Sequence, residues 1–147
     1  MQYTEGKIGR IFLLRLHDGD QLPKVIESFA EKKKIAHALC FILGGVKDGG
    51  KVVVGPSKET LPPNPMVRFL DGVHEICGFG TLIIDERGKP NLHMHASFGR
   101  GGQTLAGCIR LGVDIWQTGE IVLIEIAEVT ALRMKDRKTG FDLLEIT

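Results

Sequence analysis

His93-Met94-His95 carries the sharpest ligating chemistry in this 147-residue sequence. Leu92, Ala96 and Phe98 flank it and give the segment the alternation of a strand. Successive side chains of a strand point to opposite faces. Both imidazoles therefore emerge on one side, and Leu92, Met94, Ala96 and Phe98 on the other. Such a pair can bite one metal ion, and imidazole suits zinc, iron, copper or nickel. An H-x-H pair also serves as plain surface or polar-core histidine. A metal would need a third ligand from elsewhere. The candidates are Cys108, beyond a glycine-rich turn, and His74 or Glu75 on the preceding strand. If 92–98 pairs antiparallel with 73–85 across the Asp85–Asn91 turn, His93 falls near residue 83 and His74 lies well up the ladder. Cys108 needs only the loop 99–107 to fold back.

Other motifs carry less. Gly45-Val46-Lys47-Asp48-Gly49-Gly50-Lys51 nearly spells a phosphate loop, but Val52 stands where a hydroxyl would hold magnesium, and a strand follows instead of a helix. It reads as a hairpin turn. Gly99-Arg100-Gly101-Gly102 lacks the third glycine and flanking helix of a dinucleotide fingerprint and reads as a loop. His17 and His37 border a turn and a strand and read as hydrogen-bonding or surface histidines. No Cys/His nucleophile signature surrounds Cys77 or Cys108, and no serine elbow, paired carboxylates or H-E-x-x-H helix occurs.

The elements that position these residues follow from periodicity. Gly9–Leu16 reads as a strand. Leu22, Val25, Ile26, Phe29 and Ala30 form one helical stripe, with Pro23 in the first turn and Lys32-Lys33-Lys34 closing it. Ala38–Leu43 is a continuous apolar run, consistent with a strand buried on both faces. Lys51–Val54, Val67–Leu70, Val73–Asp85, Leu92–Phe98 and Ile121–Ile126 read as further strands. Prolines make 55–65 irregular, and Asp71-Gly72 is a hairpin-type signal. Gly78 and Gly80, two apart on one face, predict a bulge or a close backbone contact. The tail, 132–147, reads as an edge strand or a segment packed on a neighbour. One helix with mainly antiparallel strands gives an α+β fold in a single domain, 1–147.

Composition bounds the function classes. Lys and Arg number 19 against 18 Asp and Glu, a net charge of +1, so bulk charge does not equip one subunit to grip a phosphate backbone. Aromatic residues, at 6%, are too few for a stacking platform. Three cysteines (Cys40, Cys77, Cys108) without a C-x-x-C argue against a disulfide framework, and each reads as a small buried hydrophobe. The longest uncharged stretch, 35–46, is far short of a membrane span, and the polar opening has no secretory core. A cytoplasmic protein with no membrane partner is expected.

The ordered set of segments then resembles a known family. The segments are Arg15-Leu16-His17-Asp18-Gly19-Asp20, the helix, Phe41-Ile42-Leu43-Gly44-Gly45-Val46, His74-Glu75-Ile76, Leu92-His93-Met94-His95-Ala96, Gly99-Arg100, Gly102-Gln103-Thr104-Leu105-Ala106-Gly107 and Thr139-Gly140-Phe141-Asp142-Leu143-Leu144. Together they resemble the plants-and-prokaryotes-conserved domain in its stand-alone prokaryotic form, over about residues 6–146. The resemblance implies an antiparallel α+β fold with one main helix, assembly as a homotrimer, and a fold related to that of acetolactate decarboxylase, a zinc enzyme. It also implies a metal, usually zinc, on the L-H-x-H pair and a following histidine. Cys108, in Ala106-Gly107-Cys108, stands at that third position, and cysteine is itself a good zinc ligand. Plant relatives carry an AT-hook before the domain, and this sequence has no Arg-Gly-Arg-Pro hook.

The expectation is a zinc site on His93, His95 and Cys108 with water in the fourth position. Glu75, with His74, is expected nearby. Two functions stay open: a DNA-associated or regulatory assembly module with DNA or protein partners, and a zinc-dependent lyase or hydrolase binding a small molecule at the metal.

Overall fold

The structure is a computed structural model and describes residues 1–146. In chain order it runs β1 (Lys7–His17), β2 (Gln21–Leu22), α1 (Lys24–Lys33), β3 (His37–Val46), β4 (Lys51–Pro56), β5 (Pro65–Phe69), β6 (His74–Ile84), β7 (Pro90–Arg100), β8 (Gln103–Cys108), β9 (Val113–Ala127), β10 (Ala131–Lys135) and β11 (Asp142–Ile146). One sheet has the order β1-β9-β3-β6-β7-β8-β4-β5, with β2 attached to β9, and its named ladders are antiparallel. β10 and β11 form a separate ribbon. The α+β architecture expected from the periodicity is the one observed. No helix among the described residues is long and apolar enough to cross a membrane.

The core lies on the sheet face that carries α1. The helix stripe supplies fully buried Ile26 and Ala30, which join Ala38, Cys40, Ile42, Leu82, Met94, Phe98, Ile121 and Leu123 from the strands. Burial raises the Cys40 thiol pKa to about 12, so it remains a protonated, inert hydrophobe. α1 also fixes the start of the ligand strand, because Glu27 Oε1 accepts a 3.0 Å hydrogen bond from the Leu92 backbone N–H. Pro23 occupies the N-cap, and the left-handed Lys34 closes the helix by donating its N–H to Ala30 and Glu31 carbonyls.

The opposite face departs from expectation. β3 is not buried on both sides: Ala38, Cys40 and Ile42 face the core, whereas Phe41 and Leu43 lie in the open, Leu43 at 59% exposure. The apolar run fills both faces of the strand; the β10–β11 ribbon reaches the outer face beside His37 and Thr81, and none of the described residues buries Phe41 or Leu43. Asp71-Gly72 turns the chain but makes no hairpin, because β5 pairs with β4 while β6 pairs with β3 and β7. The Lys47–Gly50 turn likewise joins strands that do not pair with each other. Cys77 is exposed, contrary to its reading as a buried hydrophobe, and all three cysteines are free.

The tail forms its own ribbon. Its closing residue, Thr147, lies outside the described residues. β10 packs on β6, and His37 Nε2 donates to the Ala131 carbonyl at 2.8 Å.

Candidate metal centre

The site is built by one hairpin. β7 and β8 are joined by Gly101-Gly102, both with positive φ (56° and 79°), the conformation that a two-residue type I′ turn requires and glycine adopts without a Cβ penalty. The turn sets Arg100 opposite Gln103, and the ladder then runs without a slip to set His95 opposite Cys108. The segment 99–107, expected as a loop, is thus mostly paired strand, and it delivers the thiol to the histidine pair.

β7 alternates as the pattern predicts: Leu92, Met94, Ala96 and Phe98 are buried, His93 and His95 exposed on the other face. The register to β6 is Thr81 opposite His93 and Phe79 opposite His95, two residues from the expected pairing with 83, because the turn is tighter and pairs Ile84 with Pro90. The glycines of β6 mark close contact, with no bulge in the ladder. A Cβ on Gly80 would stand 2.6 Å from the His93 carbonyl and 2.7 Å from Met94 Cβ.

Ligating atoms of His93, His95 and Cys108 all lie within 4.8 Å of one another. The two Nε2 atoms are 3.2 Å apart. Two nitrogens bound to zinc at tetrahedral angles stand about 3.3 Å apart, given Zn–N near 2.0–2.1 Å. The histidine pair is therefore already at chelating distance, and a thiolate with two imidazoles is a zinc-type donor set. The residues present fit the metal. Such an ion, when bound, supplies Lewis-acid chemistry at whatever occupies its remaining position.

The surroundings favour the ligating form of His93. Its pKa is lowered, first by desolvation and then by the charges of Arg133, His95 and Arg110, so the ring stays neutral and free to coordinate. Arg133 comes from β10 and is 7% exposed. Its Nη2 donates a 2.7 Å hydrogen bond to Thr81 Oγ1, the side chain across the ladder from His93. Burial lowers the pKa of this guanidinium. Neither arginine carries a motif. Arg133 sits in a tail whose reading predicted only an edge strand or packing, and the sole signal for Arg110 was its place two residues after Cys108.

His74 and Glu75 do not join the centre. Glu75 pairs with Gly99, four residues beyond His95 on β7, or about 13 Å along the strand. His74 Nδ1 donates to the Gly72 carbonyl at 2.9 Å and faces the β7–β8 turn. The expectation that these two would lie near the metal is corrected by the ladder register.

One row crosses the outer face from β1 to β8: Leu13 pairs with Val122, Val122 with Phe41, Phe41 with Phe79, Phe79 with His95, and His95 with Cys108. The Phe41 and Phe79 rings are 5.3 Å apart, and Leu13 is 80% exposed. The candidate ligands His95 and Cys108 follow the exposed apolar residues on this row, before Val53 of β4.

Known proteins share this fold. A plant- and prokaryote-conserved (PPC) protein from Pyrococcus horikoshii superposes with a TM-score of 0.85 at 26% identity, covering 100% of this chain and 99% of that one. A metal-containing protein from Archaeoglobus fulgidus gives a TM-score of 0.85 at 25% identity, covering 99% of each chain. A protein from Ralstonia eutropha JMP134, named as a candidate DNA-binding protein, shares the fold with a TM-score of 0.71 at 20% identity, covering 92% of this chain and 90% of that one. No curated protein matches the sequence. The Plants and Prokaryotes Conserved (PCC) domain matches residues 3–127, which span every ligand of the centre, and the chain belongs to that family.

Proposed function

We propose that this chain is a metal-binding PCC-domain protein that assembles as a homotrimer and holds one zinc ion per subunit on His93, His95 and Cys108. The observation that carries the reading is the approach of two imidazole nitrogens and a thiol to within 4.8 Å of one another on one ladder. The name of the Archaeoglobus relative supports a metal in this fold. Three free cysteines fit a reducing, cytoplasmic setting.

Three protein ligands leave a tetrahedral ion one position short, and structural zinc is usually closed by four. That favours a small-molecule ligand at the metal and the chemistry of a lyase or hydrolase. In such chemistry the chain's residues have separate parts. His93 and His95 orient the ion from β7, the Cys108 thiolate lowers its net charge, and Arg133 and Arg110 hold positive charge beside the ligand. The exposed stripe from Leu13 to Phe79, with an apolar groove of about 560 Å³ lined in part by Ile8, Leu39, Ile124 and Leu144, supports burial against further subunits. Metal content of the purified full chain tests the reading: one zinc per subunit, lost in His93→Ala, is expected, and a metal-free protein that takes up none would refute it.

The name of the Ralstonia relative favours a second reading, a DNA-associated module. With a charge of +1 per chain, such binding would rest on few phosphate contacts and show a shallow salt dependence. Titration of duplex DNA at low salt decides it, and the absence of binding would remove this reading.

A further inference from the structure

We propose that Arg133 makes the metal centre a receptor for a small carboxylate, which its guanidinium would hold beside the ion. The inference rests on the metal assignment and goes beyond it by naming the ligand class.

Arg133 is 7% exposed, and its Nε is buried with no hydrogen-bond partner among the described residues. Buried charged donors are otherwise paired or hydrogen-bonded, since an unmet one forfeits its solvation. None of the ion pairs within 4.0 Å among the described residues includes Arg133. The side chain is aimed, not loose. Nη2 is tethered to Thr81 Oγ1 at 2.7 Å, and the Thr81 and His93 Cβ atoms, as cross-strand partners, stand about 5 Å apart. This leaves the Nε–H of a planar guanidinium without a partner, on a side chain whose donor fork takes a carboxylate by two parallel hydrogen bonds.

The charge balance points the same way. Two neutral imidazoles and one thiolate leave a divalent ion at +1. Arg133, tethered to Thr81 across the ladder from His93, adds positive charge, and Asp142 on β11, whose charge acts on Arg133 from beyond ion-pair distance, offsets only part of the total. Arg110 is itself anchored, its guanidinium 5.3 Å from the ring centroid of Phe141, in the connection between β10 and β11. Glu75, the carboxylate expected nearby, lies four ladder positions away. An anionic ligand supplies the charge the centre lacks.

The test is a titration of the cobalt(II)-loaded full chain with sodium acetate, read in the visible bands of the metal and in the Arg133 Nε–Hε resonance. A sulfur-to-cobalt charge-transfer band reports the metal site itself. Acetate is expected to shift both the ligand-field bands and the Arg133 resonance at one midpoint. Arg133→Met should raise that midpoint at least about tenfold, since each charge-assisted hydrogen bond lost costs about that factor, with cobalt affinity of the same variant measured separately. Arg133→Lys, which keeps the charge but not the fork, should fall between. If cobalt binds with its sulfur band but acetate leaves the wild-type Arg133 resonance unmoved, the carboxylate inference is wrong and the metal assignment stands. If no sulfur band forms, the metal assignment fails and takes this inference with it. The wild-type resonance decides the matter even if Arg133→Met does not fold.

Discussion

Cys108 stands directly opposite His95 on the β7–β8 ladder, so a two-residue turn and an unbroken register deliver a thiol to a histidine pair. The centre is a property of strand pairing. Its ligands need no flexible loop to meet, and their rings are held 5.1 Å apart by the pleat of β7.

Metal should therefore stabilise the fold that makes the site. Zinc at 100 times its dissociation constant adds about 2.7 kcal/mol, roughly 8 °C in Tm for a chain of this length. Differential scanning calorimetry with and without a chelator should show this shift for wild type and lose it in Cys108→Ser. An equal chelator response in the variant would remove the thiol from the site.

Gly80 keeps β6 against the His93 backbone, leaving no room for a methyl group. Gly80→Ala should cost about 1–3 kcal/mol by overpacking and weaken zinc binding together with stability. Urea unfolding and a zinc titration on the same protein read both effects. Unchanged stability would mean that the strands part without strain.

The apolar row predicts how the chain associates. Phe79→Glu places a charge between Phe41 and His95, at the middle of the exposed stripe. Sedimentation should give three times the chain mass for wild type and a monomer for the variant, with little change in its far-ultraviolet dichroism. A monomeric wild type at micromolar concentration would contradict the trimer.

Acid should release one tie between β1 and β9. Arg10 Nε and Nη2 each donate to a Glu125 carboxylate oxygen at 2.7 Å, and this side-chain pairing is the largest cause of the lowered Glu125 pKa. The depressed carboxyl stabilises the fold above its ordinary value of 4.5, and that contribution disappears as pH falls through the folded-state value. Arg10→Met should lower the urea midpoint modestly at pH 7, and the gap to wild type should close as pH falls below 4.5 and through the folded-state value. A gap that persists in acid would assign the loss to packing.

Much of this was legible in the sequence because two periodicities were clean. The alternation from Leu92 to Phe98 set both histidines on one face, and the stripe from Leu22 to Ala30 marked the helix, though Leu22 itself pairs in β2. The exposed side of β3 was not legible. An apolar strand reads the same whether its outer face meets another layer of its own chain or is left open, as Phe41 and Leu43 are. Pairing order was hidden too: Asp71-Gly72 has hairpin chemistry, but long-range pairing placed β4 and β3 as the partners of the flanking strands. Arg133 could not be found by motif, since its role comes from a tail ribbon folding over Thr81.

X-ray absorption at the zinc edge tests the central claim most directly. The account predicts one sulfur at about 2.3 Å and imidazole nitrogens at about 2.0–2.1 Å around the ion, with the sulfur absent in Cys108→Ser. A wild-type shell of nitrogen and oxygen alone would contradict it.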